Sequence, residues 1–231
     1  MNQPEIRPDA GATPVTGPQT GPDAGATLTG PDTGVDASSD GRLPASVVEA
    51  IERLEADERI DPLAERLHRV ADTVVRSEAT DNLLTGAWMG HAAHPLMTDF
   101  PLGAWTSATL LDLLGGKGSR RAAAGLMTFG VVTAVPTVAT GLAELRRLDQ
   151  GSRRVAAVHA ATNSVALGLY TASLLSRRRH HMRAVWLGVT GGLVATVGGY
   201  LGGHLTLVRK AGTRDERFST PDDVVAPPVP A

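Results

Sequence analysis

Hydrophobic and polar positions divide this chain into unlike parts. Residues 1–42 contain almost no large apolar side chains and repeat a Gly-Pro-Asp/Ala-Gly-Ala-Thr theme, as in Thr16-Gly17-Pro18 and Thr29-Gly30-Pro31. Such a stretch cannot bury enough surface to offset chain entropy, so a disordered tail is expected. Across 43–82 apolar residues return at helical spacing, first Val47, Val48, Ile51 and Leu54, then Leu63, Leu67, Val70 and Val74. Asp61-Pro62 separates the two sets and suits a turn with Pro at the first helical position. Two short amphipathic helices are predicted, lying in water or on a membrane surface. Their polar faces mix Glu, Asp and Arg, unlike a basic, lipid-seeking helix.

From 83 to 210 the pattern changes again. Residues 122–143, 155–176 and 184–208 carry no Asp, Glu, Lys or Arg. Each exceeds the roughly 20 residues that a helix needs to cross a hydrocarbon layer about 30 Å thick. A fourth segment, 96–114, is interrupted by Asp99 and Asp112 near its ends and is read as the partner that completes an even number of spans. The fold class expected is therefore an all-α membrane protein, with four transmembrane helices in an up-down bundle over 83–210. The two amphipathic helices and the tail precede it, and a disordered C-terminal tail over 211–231 follows.

Whole-chain averages hide this division. The net charge of -2 and mean hydropathy of -0.03 resemble a soluble protein because they blend polar tails with an apolar centre. Cysteine is absent, which excludes disulfides, thiolate metal sites and iron–sulfur ligation by this sequence. Residues 1–42 hold no apolar signal region, so insertion is expected through the internal segments. Lys and Arg are almost balanced between the two ends of the spans. A long polar N-terminal stretch is easier to leave in the cytoplasm than to move across, so a multi-pass plasma-membrane protein with both termini cytoplasmic is expected. Trp186, just inside the last span, fits an interfacial anchor.

In an up-down arrangement the start of span one, the end of span two, the start of span three and the end of span four share a face. Polar residues collect at those four places: His91, His94 and Asp99, then Glu144, then His159, then His204. At 1.5 Å per residue, His159 and His204 lie roughly 6–8 Å inside the basic residues that mark the boundary. Helical spacing places Thr133, Thr137, Thr140 and Glu144 on one stripe, and His159, Asn163, Ala166 and Tyr170 on another. Gly188, Gly192, Ala195, Gly199 and Gly203 form a small-residue stripe suited to close helix packing. The opposite end offers Asp112 and the His180-His181 pair.

Ionisable groups at membrane depth mark a site or a polar contact. Axial imidazoles could hold a haem b iron, with His159 and His204 the best-matched pair and His91 or His94 as further candidates. Pro95 disfavours the helical conformation at His94, which argues for a turn there. A divalent metal is the second reading, with His91, His94, Asp99, Glu144, His159 and His204 as nitrogen and oxygen donors. The third is a structural or interaction protein whose histidines hydrogen-bond between helices, with no cofactor at all. No phosphate-cradling loop, HExxH or GxSxG is present, so no independent catalytic activity is expected. The run Arg177–Arg179 fits lipid headgroups better than nucleic acid. A transporter is the weaker reading, because four spans show no inverted repeat.

One run of residues carries a resemblance. Leu83-Leu84-Thr85-Gly86-Ala87-Trp88-Met89-Gly90-His91 precedes His94-Pro95-Leu96 and Phe100-Pro101-Leu102-Gly103-Ala104-Trp105. It resembles the bacterial membrane family called domain of unknown function 2231, whose opening motif is similar to G-H-P-x-H-P followed by P-[IL]-G-x-W and an Asp near the end of the first span. His91, His94, Pro95, Pro101, Gly103, Trp105 and Asp112 match that motif. Glu144, His159 with Asn163, and the Gly198–His204 run look like further family features. The resemblance spans about 83–212, and Ala92-Ala93 departs from it where the family has Pro after the first His. It implies four spans and names no activity. Some relatives carry a Rieske-type domain in the same chain, which implies electron transfer with a separate redox partner here. Lipid is the other partner implied, and homo-oligomerisation stays open. The topology predicts that single cysteines at Ser119 and Ser152 label from opposite sides of the membrane, and labelling from one side would break it.

Overall fold

The computed structural model describes residues 45–215 and 217, so the polar tail over 1–42 lies outside it. The described chain is helical. Three short helices, α1 (Ala45–Ala56), α2 (Asp61–Val74) and α3 (Glu78–Thr85), precede four long ones. These are α4 (Ala93–Leu114), α5 (Arg120–Leu145), α6 (Gln150–Ser176) and α7 (His181–Gly203), the last continuing as a π-helical turn over His204–Val208.

Sequence pattern and local chemistry account for the boundaries. Pro62 opens α2 as its spacing predicts, and Ser77 and Asp149 cap α3 and α6 by accepting hydrogen bonds from the backbone of Thr80 and Ser152. Gly86 ends α3 at φ 81°, and a Cβ there would stand 2.5 Å from the His91 carbonyl oxygen, so the turn into α4 needs glycine. Three short helices replace the two expected, because 78–85 closes its own turn. In α2 the expected stripe of Leu63, Leu67, Val70 and Val74 is displaced. Leu63 and Val70 are exposed, and the buried face runs through Ala64, Leu67 and Ala71. Small side chains let α2 sit close against its neighbours.

The long helices form two antiparallel hairpins, α4 with α5 and α6 with α7. Contacts of α4 with α7 and of α5 with α6 close them into a ring. Its centre holds Trp105, Ala108, Ala123, Met127, Ala134, Ala166, Tyr170 and Ala195. The Trp105 indole stacks on the Tyr170 ring, with centroids 4.2 Å apart and planes 16° from parallel. The face of α7 that packs is Gly188, Gly191, Ala195, Gly198 and Leu201; Gly199, on the stripe expected from spacing, faces outward. The remaining outer surface is apolar. Phe129, Val132, Val135 and Val138 on α5 and Trp186, Leu193 and Val197 on α7 are all exposed.

Two segments, Lys117–Leu145 and His181–Val208, are long and apolar enough to cross a membrane, and only 28% and 39% of their most apolar windows are buried. The core helix of a soluble protein would be mostly covered, so this greasy exterior calls for lipid. Helices α4 and α6 have the length but a less apolar composition.

Ion pairs fasten the two ends of the ring. At one end Arg177 forks onto Asp112, with nitrogen–oxygen distances of 2.9 and 2.6 Å and side chains only 7% and 2% exposed. At the other end α1–α3 form a cap. Arg154 forks onto Asp61 (2.7 and 2.9 Å), Arg146 reaches Asp72 and Asp81, Arg147 also takes Asp81, and Arg209 reaches Glu55. Ile51 and Leu54 of α1 and Leu67 and Ala71 of α2 pack with Leu145, Val155, Leu201 and Leu205 beneath that polar rim. The chain beyond α7 also docks here. Residues 211–215, expected as part of a disordered tail, fold back: the Asp215 N–H donates to the Gly90 carbonyl at 3.0 Å, and Arg214 pairs with His91 as a short antiparallel bridge.

Two outcomes are expected. Asp112→Asn leaves Arg177 buried without its counter-ion and lowers unfolding free energy by about 3–5 kcal/mol, whereas Asp112→Leu with Arg177→Met loses much less. Equilibrium unfolding in mixed micelles measures both, and an equal loss in the two proteins would contradict the account. At the cap, hydrogen bonds from Arg154 hold the Asp61 carboxyl below its usual pKa. Its contribution to docking is therefore complete above about pH 4 and disappears as pH falls through the lowered value. Hydrogen exchange in α1 and α2 should accelerate below that range in the native chain, and Asp61→Asn should flatten this acid dependence. Identical acid profiles for the two proteins would rule the pair out as the cap's acid-sensitive latch.

Candidate functional site

Local backbone chemistry decides where His94 goes. The helix α4 starts at Ala93, so His94 is helical and not on the turn that Pro95 suggested. Proline is tolerated there because the first turn of a helix has no use for its N–H groups. Eight residues beyond the start of the helix the same logic reverses. Pro101 lacks the N–H that would bond to the Met97 carbonyl, and the Thr137 hydroxyl of α5 reaches that carbonyl at 2.9 Å, sharing its proton with the Thr133 carbonyl. The Thr137 carbonyl in turn accepts from His94 Nδ1 at 3.0 Å and from the Thr140 hydroxyl at 2.8 Å. Because a carbonyl can only accept, His94 carries its proton on Nδ1. In the neutral ring Nε2 is then the bare nitrogen.

His159 repeats the arrangement from α6. Its Nδ1 donates to the Gly198 carbonyl of α7 at 2.8 Å, which again leaves Nε2 as the bare nitrogen. Asn163, one turn along, donates to the His159 carbonyl at 2.9 Å. The Asn163 amide nitrogen lies 3.3 Å from both ring nitrogens. A donor in line with the Nε2 lone pair would stand much farther from Nδ1, so the amide lies alongside the ring. Three glycines make room for these side chains. A Cβ at Gly141 would stand 2.8 Å from His94 Cε1, one at Gly202 2.9 Å from His159 Cε1, and one at Gly198 2.6 Å from the Asn163 amide. Helices α4 and α6 are not sequence neighbours, yet His94 and His159 meet inside the ring. Their centroids are 6.3 Å apart and their planes 79° from parallel.

The other candidates are used elsewhere. His204 Nε2 bonds to Glu55 Oε1 at 2.9 Å, and Arg209 Nε shares that oxygen at 2.9 Å, so His204 belongs to the latch between α1 and the π-helical turn. The spacing argument paired His159 with His204; in the structure His159 sits against His94. His91 is exposed, with Nδ1 3.1 Å from the Ala92 carbonyl, on the turn that pairs with Arg214. Asp99 is exposed on α4. Glu144 is buried at the end of α5, where Oε2 accepts from the Thr213 N–H at 2.9 Å and Oε1 has no partner among the described residues. Asp112 is the acid of the pair at the far end. Among the described residues no three His, Asp or Glu side chains come together as ligands for one ion.

Sequence reasoning named Pro101 and Thr137 without their roles and missed Gly141. Pro101 was legible as a helix interruption, and the rule that it frees the carbonyl four residues earlier points to Met97. Thr137 was on the polar stripe without a partner. Gly141 had no signal, because its role depends on which α5 residue faces His94.

No curated protein and no solved structure matches the chain. A family profile does match, over residues 90–215, from the turn before α4 to the end of the returning C-terminal segment. That span contains the histidine pair, the Thr137 clasp, Glu144 and the Asp112–Arg177 pair. It covers more than half of the sequence, and the family it describes is "Predicted membrane protein (DUF2231)", to which this chain belongs.

Proposed function

We propose that α4–α7 all cross the bilayer, with both termini on one side, and that His94 and His159 hold haem b as an electron-transfer cofactor. Four spans are supported by the ring contacts and by exposed apolar side chains on the two less apolar helices, Phe100, Leu110 and Leu113 on α4 and Val165 and Leu175 on α6. Lipid is the surrounding partner on this reading, and a separate redox protein would exchange the electron.

The observation that carries the cofactor reading is the meeting of two imidazoles, each with its Nδ1 proton on a backbone carbonyl. A metal-bound histidine commonly disposes of its second nitrogen in this way, which fixes the ring and its tautomer. The two ring centroids lie 6.3 Å apart, near enough for both histidines to reach one shared group. The donor count selects the class of cofactor. A bare divalent ion takes three or four protein ligands, and the described residues do not assemble them. Haem would supply most of its iron's donors itself and would need few from the protein, a part His94 and His159 would fill. Bound, it would supply one-electron chemistry. The chain's own part would be to hold the two rings through Thr137 and Gly198, keep space through Gly141 and Gly202, and exclude water with the cap.

A second reading, a bundle whose histidines serve only as links, is favoured by the fact that His94, His159 and His204 each join two helical segments. One experiment separates the two. Protein purified in detergent from iron-replete cells should show a Soret band and a reduced-minus-oxidised difference spectrum. His94→Ala and His159→Ala should lose most of both, and His204→Ala should keep them. Colourless protein that gains no band on haem addition would leave the linking role alone. His94→Ala would then cost only about 0.6–1.7 kcal/mol of stability, the range of a single hydrogen bond between membrane helices.

A further inference from the structure

The two ends of the ring treat their cations differently. At the capped end Arg146, Arg147, Arg154 and Arg209 are each paired with a carboxylate of the cap helices. At the opposite end lie Lys117, Arg120, Arg121, Arg178, Arg179 and Arg183, all exposed. None of these six makes an ion pair with a described residue. The single acid in the sequence at that end is Asp112, and Arg177 occupies it with a two-pronged bond. The same end carries the N-termini of α5 and α7. Neither has a side-chain cap, so two positive helix ends add to the field.

This charge borders a shallow, open cleft of about 500 Å³ between the α5 and α7 N-termini, lined by Arg120, His180, His181, Met182 and Arg183. Met182 is 63% exposed, and one turn further on the same face of α7 Trp186 is 65% exposed. Leu193 (67%) and Val197 (57%) continue the exposed apolar surface of α7 away from the cleft. A free anion would use the cations and leave that apolar surface unexplained. A molecule with a phosphate at one end and long hydrocarbon chains at the other uses both.

We propose that the cleft between Arg120 and Arg183 is a specific site for the headgroup of an anionic phospholipid, its acyl chains lying along Met182, Trp186 and Leu193 of α7. Arg120 and Arg183 grip the phosphate from two helices, and the indole of Trp186 lies at the depth where headgroup gives way to chain. The lipid thereby bridges the two hairpins at the end the cap leaves bare. This inference rests on the membrane location of the ring and not on the cofactor, so the optical experiment and the one below fail independently.

The test uses the full chain in phosphatidylcholine vesicles doped with lipid brominated on its acyl chains. Trp186→Phe protein supplies the background from Trp88 and Trp105. Brominated phosphatidylglycerol should quench Trp186 at several-fold lower mole fraction than brominated phosphatidylcholine. Arg120→Gln with Arg183→Gln should reduce that preference at least fivefold, about the effect of one basic residue beside an anionic surface. Arg183→Lys, which keeps the charge and serves if the double variant does not fold, should retain most of it. Equal quenching by the two lipids would overturn the site. So would a preference that survives the double substitution, or one lost equally in Lys117→Gln, which would signal a diffuse surface field. Loss of the preference in millimolar inorganic phosphate at constant ionic strength would assign the cleft to free anions instead.

Discussion

The clasp at Thr137 is the interaction on which the polar interior depends. A carbonyl freed from its helix and packed against another helix must find a partner within the protein. Pro101 frees the Met97 carbonyl, and Thr137 answers with its hydroxyl while its own carbonyl receives His94. One residue of α5 thus fixes α4 at two levels and sets the tautomer of the histidine that faces His159. The distortion caused by a proline in one helix is converted into a register lock with the next.

The same economy of polar groups runs through the ring. Ser173 donates to the Ala184 carbonyl at 2.7 Å and fastens α6 to α7 near the far end, as His159 does at Gly198 nearer the cap. Glycines lie where these side chains press on a neighbouring backbone, which explains why Gly198 and Gly202 pack while Gly199 and Gly203 do not. The polar side chains and the glycines are therefore one device: the first supplies direction and the second supplies room.

Charge is arranged with equal purpose. The cap's aspartates and glutamate pair with Arg146, Arg147, Arg154 and Arg209 at one end and hold α1–α3 there, while the returning segment at Thr213 covers Glu144. The other end keeps its cations exposed and spends its single acid on Arg177. The near-balance of Lys and Arg counted along the chain conceals this difference, because the count ignores which cations already have partners.

Three long uncharged runs, and a fourth apolar segment with aspartates only near its ends, announced four long helices, since helical periodicity and length are properties of contiguous residues. The polar stripes Thr137–Thr140–Glu144 and His159–Asn163–Tyr170 were legible for the same reason, and all six residues do turn inward or are buried. Which histidines would meet was not legible. Depth along each helix could be counted, but the rotation of one helix about its axis relative to another is set by packing, and it turned His94 toward His159 and gave His204 to Glu55. The buried alanine face of α2, the third cap helix and the ordered 211–215 segment were hidden likewise, because small side chains and polar tails acquire an inside only when another surface covers them. What the sequence determined was local: length, period, capping and the backbone group left unpaired by Pro101. Tertiary structure decided which unpaired groups answer one another, because that choice depends on the relative rotation of helices far apart in the chain.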